Sequence, residues 1–77
     1  MEIREAIVRA EKIHSLLFAI EEIIEGRLVL AVRTLRPLTG LSVPELARAI
    51  AIARGEELKG EASEEAREVG QLLKKFL

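Results

Sequence analysis

The side chain best suited to chemistry in this sequence is its only histidine, His14. An imidazole titrates near neutral pH and binds transition metals, so it could act as a general base or as a metal ligand. Glu11 precedes it by three residues, a spacing that metal sites in helical bundles use. Such sites need a second histidine and further facing glutamates, and the chain has no second Glu-x-x-His pair. We therefore predict no metal and no cofactor, and we interpret His14 as a boundary or core residue with one satisfied nitrogen.

The residues needed for nucleophilic or acid–base catalysis are missing or poorly placed. The chain has no Cys, Asp or Tyr to serve as a nucleophile or to orient one. Ser15 adjoins the histidine, so the two side chains diverge on a helix, and Ser42 and Ser63 stand where helix caps are expected. The carboxylate pairs Glu21–Glu22 and Glu64–Glu65 are neighbours that point apart, which is typical of surface charge. The sequence predicts no catalytic residues and no enzymatic activity.

Nucleic-acid binding is an alternative function that the arginines suggest. Residues 26–54 carry five arginines against the single acid Glu45, a net charge of +4, although the whole chain carries −1. Lys and Arg side chains supply the phosphate contacts on which nucleic-acid binding depends. Arg is also a helix former and an ordinary surface residue, so a solvated face is the competing interpretation. The candidate contact residues are Arg27, Arg33, Arg36, Arg48 and Arg54.

The segment from residue 41 to residue 59 resembles the first helix and turn of repressor-type helix-turn-helix domains. The matching apolar and small residues are Leu46, Ala47, Ile50 and Ile52. The second half departs from the motif, because Ala51 replaces the turn glycine and Glu57 and Gly60 replace apolar anchors. Residues 53–65 also carry five glutamates against Arg54 and Lys59, a net charge of −3, which phosphates would repel. We therefore interpret the segment as a packing corner and expect no nucleic-acid partner.

The apolar pattern predicts that residues 2–25 form one long helix, the first of the helices that carry these residues. Apolar residues recur there at alternating steps of three and four, at Ile3, Ala6, Ala10, Ile13, Leu17, Ile20 and Ile24. The centre of this stripe drifts from the side of Ile7 towards that of Leu16 and Ile23. An apolar face that rotates around a helix along its length contacts different partners at the two ends of that helix. We therefore expect shorter helices wrapped around this one, and no strict coiled coil.

Two shorter helices are predicted in the middle of the chain. The first covers residues 27–37 and ends near Pro37, before a loop at residues 38–42. Its inward side chains are Leu28, Ala31, Val32 and Leu35. The second follows a capping box formed by Ser42 and Glu45 and runs to about Arg54. Its inward side chains are Leu46, Ala47, Ile50 and Ala53.

The C-terminal part is predicted to form one further helix, or two if residues 56–60 form a separate short one around Leu58. Ser63 caps the last helix. Its inner stripe consists of Ala66, Val69, Leu73 and Phe76. Gly70 lies inside this helix, where it lowers helix propensity, so we expect it to permit the close approach of another helix.

The composition resembles that of computationally designed helical proteins. All thirteen acidic residues are Glu, and the chain lacks Asp, Asn, Cys, Trp and Tyr, so strong helix formers fill the helices while Ser and Gly mark their ends. A thermophilic protein would also avoid Asn and Cys but has less reason to avoid Asp and Tyr. The resemblance implies a de novo scaffold with no biochemical activity.

The length favours one all-α domain over residues 1–77, a small irregular bundle of four to five helices. A chain of this size buries only about 60–65% of its unfolded surface, which leaves little room for a deep pocket. With no targeting signal and no membrane-length apolar run, we expect a soluble protein, cytoplasmic on expression. The long helix is apolar over more than half its circumference, including Val8 and Phe18. Any apolar side chains that the short helices leave uncovered would form a homodimer interface.

Overall fold

The computed structural model describes residues 2–77, which contain four α-helices. Their bounds are Ile3–Ile24 for α1, Leu28–Thr39 for α2, Val43–Ala53 for α3 and Glu64–Lys74 for α4. No strand occurs in this part of the chain, and the predicted all-α fold with one long N-terminal helix is confirmed. α1 packs on α2, α2 also contacts α3, and α3 packs most extensively on α4. The molecule is elongated, with extents of 42 × 25 × 20 Å.

The two halves of α1 have opposite environments. Its second half contributes Ala19, Ile20 and Ile23 to the hydrophobic core. By contrast, every side chain of residues 2–14 is exposed. The drift of the apolar stripe therefore identified the packed face of the second half correctly, but the expectation that the two ends of α1 contact different partners was wrong. The reason is length: α2 has 12 residues and α1 has 22, so the hairpin leaves almost half of α1 without a neighbour.

α2 continues through Pro37 to Thr39, so the predicted end near Pro37 and the predicted start of the loop at residue 38 were both wrong. Proline removes one backbone donor, and near the C-terminus of a helix this leaves the preceding turns intact. Gly40 then ends the helix in the left-handed conformation, with φ of 71° and its N–H bonded to the Arg36 carbonyl. The local stop signal in this segment is therefore the glycine and not the proline.

α3 and α4 begin at the serines predicted as caps. The Oγ of Ser42 accepts a hydrogen bond from the Glu45 N–H at 3.4 Å, and the Oγ of Ser63 accepts one from the Ala66 N–H at 3.1 Å. The short helix considered at residues 56–60 does not form, because the four residues between Gly55 and Gly60, both of positive φ, are too few to propagate a helix. Instead, Leu58 packs beside the buried Ala62 in a small apolar cluster with α3 and α4.

The main core lies between the second half of α1 and the other three helices. Its fully buried large side chains are Leu35, Leu46 and Leu73. Two predicted inward residues are exposed: Ala47, which faces away from the core, and Phe76, which lies beyond the end of α4. Gly70 is buried, and a Cβ atom at that position would lie 2.8 Å from the Cβ of Ile52. The predicted close approach of two helices at this glycine is confirmed.

Candidate interaction surface

His14 and Glu11 are both exposed on the first half of α1. The interpretation of His14 as a boundary or core residue was wrong, because His14 lies on the side of α1 that faces away from the buried Ala19 and Ile23. Within residues 2–77, no three His, Cys, Asp or Glu side chains come together as a metal site would require. The Glu-x-x-His spacing therefore stands alone on a solvated face, without facing ligands.

The two capping serines converge on one carboxylate. The Oγ of Ser63 donates a hydrogen bond to one Glu45 carboxylate oxygen at 2.7 Å, and the Oγ of Ser42 donates to the other at 3.1 Å. These bonds hold the pKa of Glu45 below its ordinary value, with the Ser63 bond making the largest contribution. A carboxylate of lowered pKa is a weaker base, so the arrangement suits a link between α3 and α4 better than acid–base catalysis.

One glutamate that the sequence pattern suggested as surface charge is buried. Glu22 is only 5% exposed and accepts a hydrogen bond of 2.6 Å from the Oγ1 of Thr34, which joins α1 to α2. Its neighbour Glu21 is exposed. The prediction for Glu22 was therefore wrong, because the position of α2, whose Thr34 lies twelve residues further along the chain, decides which of the two neighbours is covered. A satisfied carboxylate of this kind stabilises the hairpin.

Two of the five candidate arginines lie together. Arg33 and Arg36 are one turn apart on α2 and line the same open groove of about 430 Å³ between α2 and α3. Apolar side chains form much of this groove, among them Val29, Val32 and Val43. The groove therefore combines an apolar floor with two cations, but it holds no nucleophile and no acid–base pair.

The other three arginines do not line this groove. Arg27 forms an ion pair with Glu25 at 3.1 Å, and a nitrogen of Arg54 lies 3.8 Å from an oxygen of Glu56, which does line the groove. Arg48 lines a neighbouring depression that shares Ala47, Ala51 and Glu56 with the groove. The net charge of +4 counted along residues 26–54 is thus partly offset by Glu25 and Glu56 beside the arginines.

The resemblance to a helix-turn-helix ends at the C-terminus of α3. Such motifs join their two helices by a turn of about 3–4 residues. Here residues 54–63 separate α3 from α4, and this connection includes Glu56, Glu57 and Glu61. The second helix consequently does not follow α3 in the way that a recognition helix follows the first helix of the motif.

A second apolar surface runs along α1, on the side that faces away from the core. We call it the α1 stripe, and it consists of Ile3, Ala6, Ala10, Ile13, Leu17 and Ile24. Its four large side chains are 78%, 58%, 52% and 66% exposed, in chain order. At about 100° per residue, the centre of the stripe lies roughly 140° around the helix from the buried Ala19 and Ile23. Contiguous exposed apolar surface of this kind makes the α1 stripe a candidate interaction surface.

Comparisons with known protein families, with curated proteins and with solved structures found no match to this chain. Among residues 2–77, none of the helices combines the length and apolar character needed to cross a bilayer.

Sequence reasoning found the apolar residues of the α1 stripe but assigned most of them to a buried face. The alternating spacing shows that they share one side of a helix, and nothing local shows whether another helix covers that side. The hydrogen bond between Ser63 and Glu45 was also missed. Its only signal in the sequence is that Ser63, like Ser42, precedes a helix.

Proposed function

We propose that this protein is a helical interaction module without catalytic activity, and that it acts by binding another α-helix along the α1 stripe. One observation carries the proposal: four large apolar side chains of the stripe are each more than half exposed and recur at helical spacing. Apolar residues at steps of three and four are what the apolar face of a second helix packs against.

The dimensions and charge of α1 support a helix as the partner. Its 22 residues give a surface about 33 Å long, which suits a partner of similar length. Along residues 2–14, three glutamates are balanced by Arg4, Arg9 and Lys12. A neutral segment has no net attraction for phosphate backbones or anionic lipid, so apolar contact is the main driving force for binding.

The designed origin stays a prediction, because the composition alone supports it. A designed origin is compatible with the proposed interaction module, since a designed scaffold also lacks catalytic residues and depends on helix packing. The Ser42–Glu45–Ser63 link and the Glu22–Thr34 bond fit this proposal, because each joins two helices and leaves no reactive group free.

The binding test uses a fluorescein-labelled amphipathic peptide of about three heptads, with leucine at the apolar positions and lysine and glutamate elsewhere. We expect its fluorescence anisotropy to rise with protein at roughly micromolar concentration. Replacing Ile13 and Leu17 with glutamate (I13E/L17E) should abolish the rise. The matched control, V29E/V43E, adds the same charge to two exposed valines of the α2–α3 groove and should bind as the wild type does.

The alternatives give different results. If V29E/V43E loses the peptide and I13E/L17E retains it, the groove is the binding surface and the α1 stripe is not. If the wild type binds neither the peptide nor a second copy of itself, or binds only vesicles of phosphatidylcholine and phosphatidylglycerol, the proposed function is wrong. Circular dichroism of each variant confirms that the helices are retained.

A further inference from the structure

We propose that the helix bound by the α1 stripe is α1 of a second copy, running antiparallel, with the twofold axis passing between Glu11 and Lys12. This inference rests on the proposed function and names its partner. In this arrangement, the exposed first half of each α1 lies along the outer face of the second half of the other. The stripe from Ile3 to Leu17 would thus be covered by one symmetric contact, and Ile24 would lie beyond its end.

The spacing of the stripe is that of a coiled-coil seam over three heptads. Ile3, Ala10, Leu17 and Ile24 take the first apolar position, and Ala6, Ile13 and Ile20 take the second. Only Ile20 belongs to the core of its own chain. Because the other six seam residues are exposed, a second α1 can approach them without displacing α2, α3 or α4.

The accessible surface of the chain supports a partner of this size. A compact monomer of 8.6 kDa is expected to expose about 4,700 Å². This chain exposes 5603 Å². The excess of about 900 Å² is close to the roughly 800 Å² that each partner contributes to a standard protein interface.

The order of small and large residues favours the antiparallel orientation. A parallel pair would place Ala6 against Ala6 and Ala10 against Ala10 of the second copy, which leaves two successive layers poorly filled. With the axis between Glu11 and Lys12, Ala6 faces Leu17 of the second copy and Ala10 faces Ile13. Each of these layers then combines one small and one large side chain, which fills the seam at the density of a protein interior.

The charges of the exposed half permit this pairing of the first half of one copy with the second half of the other. The three glutamates and three basic residues of positions 2–14 cancel, so this neutral half is not repelled by the second half of the other α1, which carries Glu21 and Glu22 and is followed by Glu25. Antiparallel helices also place the positive end of one helix dipole near the negative end of the other. Neither effect favours a second copy over another helix. The second copy is favoured by the excess surface area and by the pairing of small with large residues along the seam.

Light scattering across a dilution series tests the partner. We expect the mass to double from 8.6 kDa as the concentration rises, and I13E/L17E to raise the dissociation constant by at least about 100-fold, because four apolar contacts become unpaired charges. V29E/V43E should dimerise as the wild type does. A wild type that stays monomeric at high concentration yet binds the labelled peptide would overturn this inference and leave the proposed function standing.

Disulfide trapping tests the orientation of the two α1 helices. Because the chain has no native cysteine, only the introduced cysteines can form disulfides. The double variant A6C/L17C should form covalent dimers on oxidation, because the two sulfur atoms would lie in one layer. A6C alone should not, since the two copies of residue 6 would be about 16 Å apart along the axis. Efficient trapping by A6C alone would show a parallel dimer, and trapping by neither variant would show a different contact; either result overturns the antiparallel arrangement.

Discussion

The contact between α3 and α4 and the first half of α1 are built from the same kinds of residues but have opposite environments. Both have small and large apolar side chains at steps of three and four. Between α3 and α4, Ala49, Ala66 and Gly70 are buried and Ile52 lies against the glycine backbone. Along the first half of α1, Ile3, Ile13 and their neighbours are exposed.

The difference comes from what the rest of the chain places opposite each helix. The connection at residues 54–63 returns the chain so that α4 covers α3, and Leu58 and Ala62 hold it there. The turn after α1 returns the chain as well, but α2 ends after 12 residues. An apolar stripe therefore defines a face that can be buried, and the length of its neighbour determines how much of that face is buried.

The largest predicted effect is the difference in stability loss between truncating a large apolar side chain in the packed region and truncating one in the α1 stripe. Leu46→Ala should lower the free energy of unfolding by about 2–5 kcal/mol, because Leu46 is fully buried and the change leaves a cavity. Ile13→Ala should change it by less than about 0.5 kcal/mol in dilute solution, where the stripe is uncovered. Urea unfolding followed by circular dichroism measures both. A comparable loss for the two variants would contradict the contrast between the regions.

A smaller effect is expected at the tightest contact of the packed region. A Cβ added at residue 70 would lie 2.8 Å from the Ile52 Cβ and 2.9 Å from the Ala49 carbonyl oxygen. Gly70→Ala should therefore destabilise the protein by about 1 kcal/mol or more, since overpacking outweighs the gain in helix propensity. Gln71→Ala, at the exposed neighbouring position, is the control and should have little effect. A more stable Gly70→Ala protein would show that the contact between α3 and α4 is loose.

The smallest effect is the pH dependence of the link between α3 and α4. The pKa of Glu45 is lowered from 4.5 by hydrogen bonds from Ser63 and Ser42. A group whose pKa is lower in the folded protein stabilises it above its ordinary pKa, and that stabilisation is lost as the pH falls through the folded value. The stability difference between wild type and Glu45→Gln should therefore shrink between about pH 7 and about pH 3.

Thermal unfolding at the two pH values measures this difference. Ser63→Ala is the matched variant, because it removes the hydrogen bond that lowers the pKa most while keeping the carboxylate. Its own stability should therefore depend less on pH over this range than that of the wild type. A Glu45→Gln difference that stays constant between the two pH values would mean that the link does not lower this pKa.

The sequence predicts the helices well because their ends are marked locally. Ser42 and Ser63 each cap a helix through a neighbouring N–H, and Gly40 and Gly55 adopt the positive φ that stops one. These interactions join residues only a few positions apart, so they can be predicted from the sequence. The predicted end of α2 was misplaced because Pro37 resembled a helix stop, whereas Gly40, three residues later, ends the helix.

The candidate surface could be predicted only in part. The residues of the α1 stripe and their common face follow from spacing, and the interpretation that surplus apolar residues form an interface was already available from the sequence. The five arginines looked like one basic segment, yet α2 and α3 direct Arg33 and Arg48 to different depressions. Proximity along the chain does not determine proximity on the surface of a bundle.

The sequence alone determined where this chain is helical and which side of each helix is apolar, because caps, glycines and periodicity act over one or two turns. Only the tertiary structure decided which apolar sides are covered, that Glu22 is buried and Glu21 is not, and that Ser63 reaches Glu45. Those outcomes depend on how far each neighbouring helix extends and where it lies. Both are set by contacts between residues far apart in the chain, which local patterns do not encode.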